Sequence, residues 1–257
     1  MPLIPIVLTP IIAVLLTLVS LPVLALERLT YLTEEYPPYN FLDNGELKGI
    51  SIDLLLAAST SVGSPIEKGQ IRLQPWPRGY RSIQADKDTV LFAMARTPQR
   101  EDKFKWAGPI GDTRIVVLAK KSARVKITKG QDLKKYSIGV ISDDVGHQLV
   151  LKAGAGDENI ERVTTAIALV KMLDFGRIDL WAYEENVAAW TMSKVGVDKD
   201  QFEVVYVLKN LSMYYAFNVN TDDKYISKLQ RGLDLIKQKN NADTSEYQKI
   251  MQRYLSN

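Results

Sequence analysis

The sequence predicts an α/β protein that is built as two lobes, with a ligand cleft between them. Three observations support this. Short β-type runs alternate with helical segments after Glu27, these elements fall into two sets of similar size, and no Gly/Ser linker or low-complexity stretch separates the sets. The lobes are therefore expected to be joined by strands, and a cleft between two rigid lobes is the natural site for a small ligand.

The first set of elements has the strand and helix patterns of an α/β unit. Its strands are expected in LTYLTEEY, IRLQPW, TVLFAMA and TRIVVLAKK. Its helices are expected in SIDLLLAAST and from about Arg78 onward.

The second set also alternates strands and helices, and the chain then ends with a strand and two helices. The second set is expected to contain the strands YSIGVIS, IDLWAY and FEVVYV, a helix through His147 to Leu151, and the amphipathic helix TAIALVKMLDFG. The last strand is expected in SMYYAFNV, followed by a helix from Lys224 to Gln238 and a final helix from about Tyr247.

Composition excludes several classes of function. The chain has 257 residues with 33 Lys+Arg against 30 Asp+Glu, and no block of either sign stands out, so no nucleic-acid partner is expected. It contains no Cys and one His, which excludes disulfides, Cys nucleophiles and thiolate metal sites. Neither a phosphate-binding Gly-rich loop nor a Gly-x-Ser-x-Gly motif is present. We expect no cofactor and no metal.

The first 26 residues carry no charged side chain and are strongly apolar. Val23-Leu24-Ala25 fits the small-residue pattern that a signal peptidase cleaves, so residues 1–25 are predicted to be a signal peptide and the mature chain to be periplasmic. As a helix the run would be about 38 Å long, which is enough to span a membrane, so an uncleaved anchor is the alternative.

Four segments between Leu29 and the C-terminus resemble the family 3 extracellular solute-binding proteins. They are EYPPYNFLDNGELKGISIDLL, ARTPQREDKFKWAGPI, DLKKYSIGVISDDVGHQL and LDFGRIDLWAYEE. The resemblance implies the type II periplasmic binding fold with two crossover strands, lobe 1 formed by residues 26–111 and 210–257, and lobe 2 by 112–209. It also implies a monomer that binds a small molecule and delivers it to an inner-membrane ABC permease.

Arg100 is the first candidate binding residue. The segment Thr97–Arg100 matches the family's Thr-x-x-Arg, and the resemblance implies that Arg100 takes the α-carboxylate of an amino-acid ligand. A guanidinium suits this role because its planar fork meets a carboxylate with two parallel hydrogen bonds. The alternative is a solvated arginine paired with Glu101 or Asp102.

Glu184 is the second candidate, because it lies eight residues after Gly176, where similar proteins place the acid that holds the α-ammonium of the ligand. Its neighbour Glu185 is the competing assignment, and strand alternation allows only one of the two to face the cleft. The spacing favours Glu184.

Four further residues are expected at the cleft. The resemblance gives Tyr36 the position of an aromatic lid over the ligand, and it places Trp76 and Arg78 where they face the ligand side chain. Asp144 either caps the following helix or faces the cleft with Glu184. In the second case lobe 2 is acidic and favours a cationic group on the ligand.

Ala93 and Ala95 stand where many amino-acid binders offer hydroxyl or backbone groups beside the arginine. This departure weakens the case for strict amino-acid specificity. The main interpretation is a binding protein rather than an enzyme. One alternative is a cyclohexadienyl-dehydratase-like enzyme on the same fold, with Glu184 as its acid. The other is a membrane-tethered ligand-sensing domain.

Overall fold

The computed structural model describes residues 25–239 and 243–255. The predicted signal peptide therefore lies outside the described residues except for Ala25. Within these two ranges, no helix is long and apolar enough to cross a membrane.

The described residues form one eight-stranded sheet and a separate two-stranded hairpin, β2–β3. The order of strands in the large sheet is β4-β1-β5-β10-β6-β9-β7-β8. The strands are β1 Thr30–Thr33, β2 Phe41–Asp43, β3 Glu46–Lys48, β4 Ile71–Leu73, β5 Thr89–Ala95, β6 Phe104–Lys120, β7 Ile138–Ile141, β8 Ile160–Val163, β9 Leu180–Glu184 and β10 Phe202–Asn218.

Seven α-helices pack on this sheet in the described ranges. They are α1 Ile50–Ser61, α2 Trp76–Ala85, α3 Val145–Ala153, α4 Ala166–Asp174, α5 Glu185–Lys194, α6 Asp223–Lys237 and α7 Glu246–Leu255. Helices α1 and α6 approach closely at Gly232, where an added Cβ would lie 2.3 Å from the carbonyl oxygen of Ala58. Only glycine allows that approach.

Two long antiparallel strands, β6 and β10, join the two halves of the sheet. The C-terminal part of β10 pairs with β5 through Met213 to Phe217, whereas the C-terminal part of β6 pairs with β9 through Ile115 to Ala119. We call β1, β4 and β5 with the hairpin β2–β3 and α1, α2, α6 and α7 the first lobe, and β7, β8 and β9 with α3, α4 and α5 the second lobe. The boundaries expected at residues 111 and 210 fall within the joining strands, and they stay a prediction.

The structure differs from the expected elements in five places. FEVVYV and SMYYAFNV belong to the single 17-residue strand β10, because its polar centre around Lys209 and Asn210 stays paired with Ile115 and Arg114 of β6. Strand β6 begins at Phe104, before the expected TRIVVLAKK, and strand β8, helix α5 and the hairpin β2–β3 were not expected. The hairpin turn is Asn44-Gly45, with φ of 50° and 82°, which is a recognised turn signal in sequences.

Candidate ligand-binding site between the lobes

Arg100 lies at the centre of the cleft and is 1% exposed. Its guanidinium carbon is 5.4 Å from the ring centroid of Trp76 and 5.2 Å from that of Tyr80, so two aromatic rings hold the cation. Nη1 donates to the carbonyl of Ala95 at 3.2 Å, and Nη2 donates to the carbonyl of Asp143 in the second lobe at 3.0 Å. Arg100 therefore links the two lobes directly.

Three polar atoms around Arg100 are buried without a hydrogen-bond partner among the described residues. They are Nε of Arg100, Nε1 of Trp76 and Oγ1 of Thr97. Buried polar groups are almost always hydrogen-bonded, so a cluster of free donors indicates a place where a ligand supplies the acceptors. Glu101, the alternative partner of Arg100, instead accepts a hydrogen bond from Nε of Arg96 at 2.8 Å.

The sequence around α2 explains how Trp76 reaches this position. The helix begins at Trp76, two residues before the predicted start, with Pro77 in its first turn. Proline is favoured there because the first amide groups of a helix have no partner within the helix. Trp76 is therefore held at the helix start and is 2% exposed.

Glu184 ends β9 and is the N-cap of α5. Its Oε2 accepts from the backbone amide of Val187 at 2.7 Å, and Oε1 accepts from Nδ2 of Asn186 at 3.3 Å. The side chain is fully buried, and this burial raises the pKa of Glu184 to about 7. The neighbouring Glu185 is half-buried and pairs with Arg114, so only Glu184 is enclosed.

Asp144 caps a helix and is also buried near Arg100. It is the N-cap of α3, where its Oδ2 accepts from the amide of Gly146 at 3.4 Å. It is also buried within electrostatic range of Arg100: burial raises the pKa of Asp144, and the positive charge of Arg100 partly opposes that rise. The preceding Asp143 has a φ of 61°, a left-handed conformation that asparagine and aspartate tolerate.

Glu34 is a site residue that the sequence reasoning missed. It directly follows β1 and is half-buried. Burial raises its pKa well above the ordinary value, the charge of Asp144 raises it further, and the charge of Arg100 lowers it. The sequence does contain a signal for Glu34, namely its position near the end of a predicted strand. Ligands of open parallel sheets bind at the carboxyl ends of the strands.

Tyr36 and Tyr183 close the cluster from opposite lobes. Their rings meet edge to face with centroids 5.7 Å apart, and both side chains are buried. Burial raises the pKa of both phenols, and the nearby charges of Glu184, Asp144 and Glu34 raise these pKa values further. We call Glu34, Tyr36, Arg100, Asp144, Tyr183 and Glu184 the charged cluster.

A cavity of about 440 Å³ extends from Glu34 to the outside between the lobes, and we call it the mouth cavity. Its residues are Glu34, Glu35, Leu42, Leu73, Gln74 and Pro75 of the first lobe with Thr164, Thr165, Ala166, Ile167, Trp190, Thr191 and Lys194 of the second. At its rim Lys194 pairs with Glu35 at 2.8 Å. A site that needs residues from both lobes is complete only when the lobes are closed.

The structure brings five of the six predicted binding residues together. Tyr36, Trp76, Arg100, Asp144 and Glu184 belong to the charged cluster or contact it. Arg78 is instead exposed and lines a separate depression with Arg72, Ser82 and Asp86, because it lies on the outer face of α2 while Trp76 and Tyr80 lie on the buried face.

The cluster is chemically suited to binding. The guanidinium of Arg100 lies within electrostatic range of Glu34 and Asp144, and Glu184 adds a third carboxylic acid to the cluster. One cation beside several acids matches a ligand with a carboxylate and an ammonium group. Among the described residues, no group of three or more His or acidic side chains is placed to hold a metal ion.

Comparison with solved structures identifies the fold. A histidine kinase sensor domain with similarity to periplasmic binding proteins superposes with a TM-score of 0.76 at 18% identity, covering 89% of this chain and 96% of that one. The arginine-, lysine-, histidine-binding protein ArtJ from Geobacillus stearothermophilus gives a TM-score of 0.73 at 18% identity, with coverage of 89% and 96%. An ABC uptake transporter substrate-binding protein from Streptococcus pneumoniae with bound histidine gives 0.74 at 16% identity, with coverage of 89% and 92%.

At these identities the similarity shows the fold alone, and it confirms the predicted two-lobed type II periplasmic binding architecture. A search of curated protein sequences found no match. The model of one protein family matches residues 29–257, which is nearly the whole described chain. The protein belongs to the bacterial extracellular solute-binding proteins, family 3.

Proposed function

We propose that the protein captures a small polar ligand, an amino acid or a related amine or carboxylate, by closure of the two lobes. The observation that carries the proposal is Arg100. It is a buried guanidinium with a free Nε, which lies against the stacked rings of Trp76 and Tyr80 and within electrostatic range of Asp144 in the opposite lobe. A guanidinium held in this way is pre-organised for a carboxylate, which lowers the cost of ordering on binding.

The acids supply the other half of the recognition. Asp144 and Glu184 come from the second lobe and Glu34 from the first, so a ligand ammonium draws the two lobes together. Closure also shields these charges from water, which strengthens their interaction with the ligand.

We further propose that the chain is exported, cleaved after Ala25 and retained in the periplasm as a monomer, where it delivers the ligand to an ABC-type permease of the inner membrane. The uncharged run that ends at Val23-Leu24-Ala25 supports export. Fractionation of cells that express the full sequence should give a periplasmic species starting near Leu26. Recovery of full-length chain in washed membranes alone would contradict this.

Two observations support alternative functions, and each alternative has its own test. The similarity to a histidine kinase sensor domain favours a tethered sensor as the second candidate, and retention of the N-terminal run in membranes would support it. The raised pKa of Glu184 is compatible with a general acid, as a dehydratase would need. Formation of an aromatic product from prephenate, lost in Glu184→Gln, would establish that enzyme.

The test of the binding function is a thermal-shift screen of the purified protein against amino acids, amines, small carboxylates and prephenate. A ligand at 100 times its Kd should stabilise the native state by about 2.7 kcal/mol. A compound that stabilises the wild type and fails to stabilise Arg100→Lys supports the proposal. A compound that stabilises both proteins equally shows that Arg100 is not the anchor.

A further inference from the structure

We propose that the ligand is an amine with a large apolar body, aromatic or branched aliphatic, whose ammonium lies at Glu34 and whose body fills the mouth cavity. The inference rests on the proposed function, since it concerns the same cleft. It goes further by naming the chemical class of the ligand from the shape and chemistry of the cavity beside the charged cluster.

The side walls of the mouth cavity are apolar on both lobes. Leu42, Leu73 and Pro75 lie on the first lobe, and Ile167 and Trp190 lie on the second. Leu42 and Ile167 are 41% and 39% exposed, and they are two of the seven exposed large apolar side chains among the described residues. Facing apolar walls in a concave site are typical of pockets that enclose an apolar part of a ligand.

The inner end of the cavity is acidic, because the carboxylate of Glu34 lies there. The carboxylate of Glu34 accepts no hydrogen bond and forms no ion pair within residues 25–239 and 243–255, whereas its neighbour Glu35 is paired with Lys194. Beside Glu34, Nε2 of Gln74 is buried without a partner in the same ranges and lines the same cavity. An ammonium group satisfies Glu34, and an oxygen of the ligand satisfies Gln74.

The outer end of the cavity offers no unpaired acid to a second cation. Glu35 at the rim is already paired with Lys194 at 2.8 Å, and the ammonium of Lys194 lies 4.7 Å from the centroid of the Trp190 ring. A ligand with a distal positive group would bring that group to the apolar walls or to a carboxylate that is already paired, and both are unfavourable. A ligand with one cationic end and an apolar body avoids this cost.

Two kinds of ligand combine an ammonium group with an apolar body. One is an apolar amino acid, and the other is the corresponding amine without the carboxylate. In the first case Arg100 binds the carboxylate, and in the second Arg100 keeps its bond to the carbonyl of Asp143. L-phenylalanine and phenethylamine represent these two sources, and L-arginine and 1,4-diaminobutane represent doubly cationic ligands.

The experiment is isothermal titration calorimetry with these four compounds, on protein purified from cells that express the full sequence. We expect L-phenylalanine or phenethylamine to bind at least tenfold more tightly than L-arginine and 1,4-diaminobutane. Ile167→Ser and Leu42→Ser should each weaken the tighter compound fivefold or more. Phe175→Ser is the matched control, because Phe175 is 73% exposed at the far end of α4, and it should change nothing.

The outcomes separate this inference from the proposed function. Binding of L-arginine as tight as that of L-phenylalanine and phenethylamine overturns the inference and leaves the proposed function intact. Unchanged affinity in both Ile167→Ser and Leu42→Ser also overturns the inference and leaves the proposed function intact. If Ile167→Ser fails to fold, Leu42→Ser still tests the inference, because Leu42 lies in the exposed hairpin. Absence of binding by these four compounds and by every compound of the thermal-shift screen overturns both.

Discussion

The two walls of the cleft hold their charges in different ways. In the first lobe, Arg100 lies against the stacked rings of Trp76 and Tyr80 and donates to two backbone carbonyls. In the second lobe, Asp144 and Glu184 accept from backbone amides, because each is the N-cap of a helix. The charge of the first wall is therefore fixed by ring contacts and carbonyl acceptors, and the acids of the second wall are fixed by the helices that they begin.

The cation and the acids of the cleft also differ in their response to pH. A guanidinium is a permanent cation in proteins, and we therefore call Arg100 the constant anchor. Burial raises the pKa of Asp144 and Glu184 on the second wall and of Glu34 on the first, so the charge of these acids varies with pH. Ligand affinity should consequently respond to pH through the acids of both lobes.

The largest effect is expected at the constant anchor. Arg100→Lys keeps the charge but loses the planar fork that bonds Ala95 and Asp143 and leaves Nε for the ligand. Loss of a charge-assisted hydrogen bond should cost about 1.5–3 kcal/mol, or roughly 10- to 150-fold in Kd, measured by calorimetry. Arg96→Lys is the matched control, since Arg96 is more exposed and pairs with Glu101, and its Kd should stay within twofold of wild type.

The second effect tests the titrating wall through Glu184. Its pKa is about 7 in the native state against an ordinary value of 4.5, so between these values the native state binds more protons than the unfolded chain. Stability of the ligand-free protein should therefore fall as pH rises, by on the order of 2 kcal/mol between pH 5 and 7 from this group. Glu184→Gln should flatten that dependence in urea unfolding measured at several pH values.

The comparison of variant with wild type removes the contributions of other groups. The raised pKa values of Glu34 and Asp144 act in the same direction, and the lowered pKa of His147 acts in the opposite direction, but all three are present in both proteins. Glu185→Gln is the control and should keep the wild-type slope. An equal slope in Glu184→Gln would show that the Glu184 carboxylate titrates normally.

A smaller effect separates the two roles of Asp144. Asp144→Ala removes both cap and charge, and should cost about 1 kcal/mol of unfolding free energy. Asp144→Asn keeps an oxygen that can accept from the amide of Gly146, so its stability should stay close to wild type while the affinity for an amine ligand falls. Equal loss of stability in both variants, measured by urea unfolding, would show that the charge rather than the cap stabilises α3.

The smallest effect is expected at the rim, where Lys194 and Glu35 pair across the lobes with half-exposed side chains. Such pairs contribute about 0.2–1 kcal/mol and are screened by salt. Glu35→Gln should weaken ligand binding less than about fivefold at low salt, and less still at 0.5 M NaCl. A tenfold loss that persists in high salt would make this pair a main determinant of closure.

Short motifs were sufficient to point to two residues of the cluster. The family resemblance at Thr97–Arg100 and the spacing from Gly176 point to Arg100 and Glu184, and the structure buries both side chains, while their role in binding stays a prediction. The cap at Asp144 follows from the preference of helix starts for short acids. The alternation of strands and helices likewise predicted the α/β class.

Only the tertiary structure decided which distant residues meet. Glu34 joins the cluster because packing brings it within electrostatic range of Asp144 and Arg100, and the mouth cavity exists because Leu42 and Ile167 come from hairpin and helix on different lobes. The exposure of Arg78 depends on which face of α2 is buried. These arrangements depend on strand order and lobe closure, which arise from packing between segments far apart in the chain, and local periodicity carries no information about them.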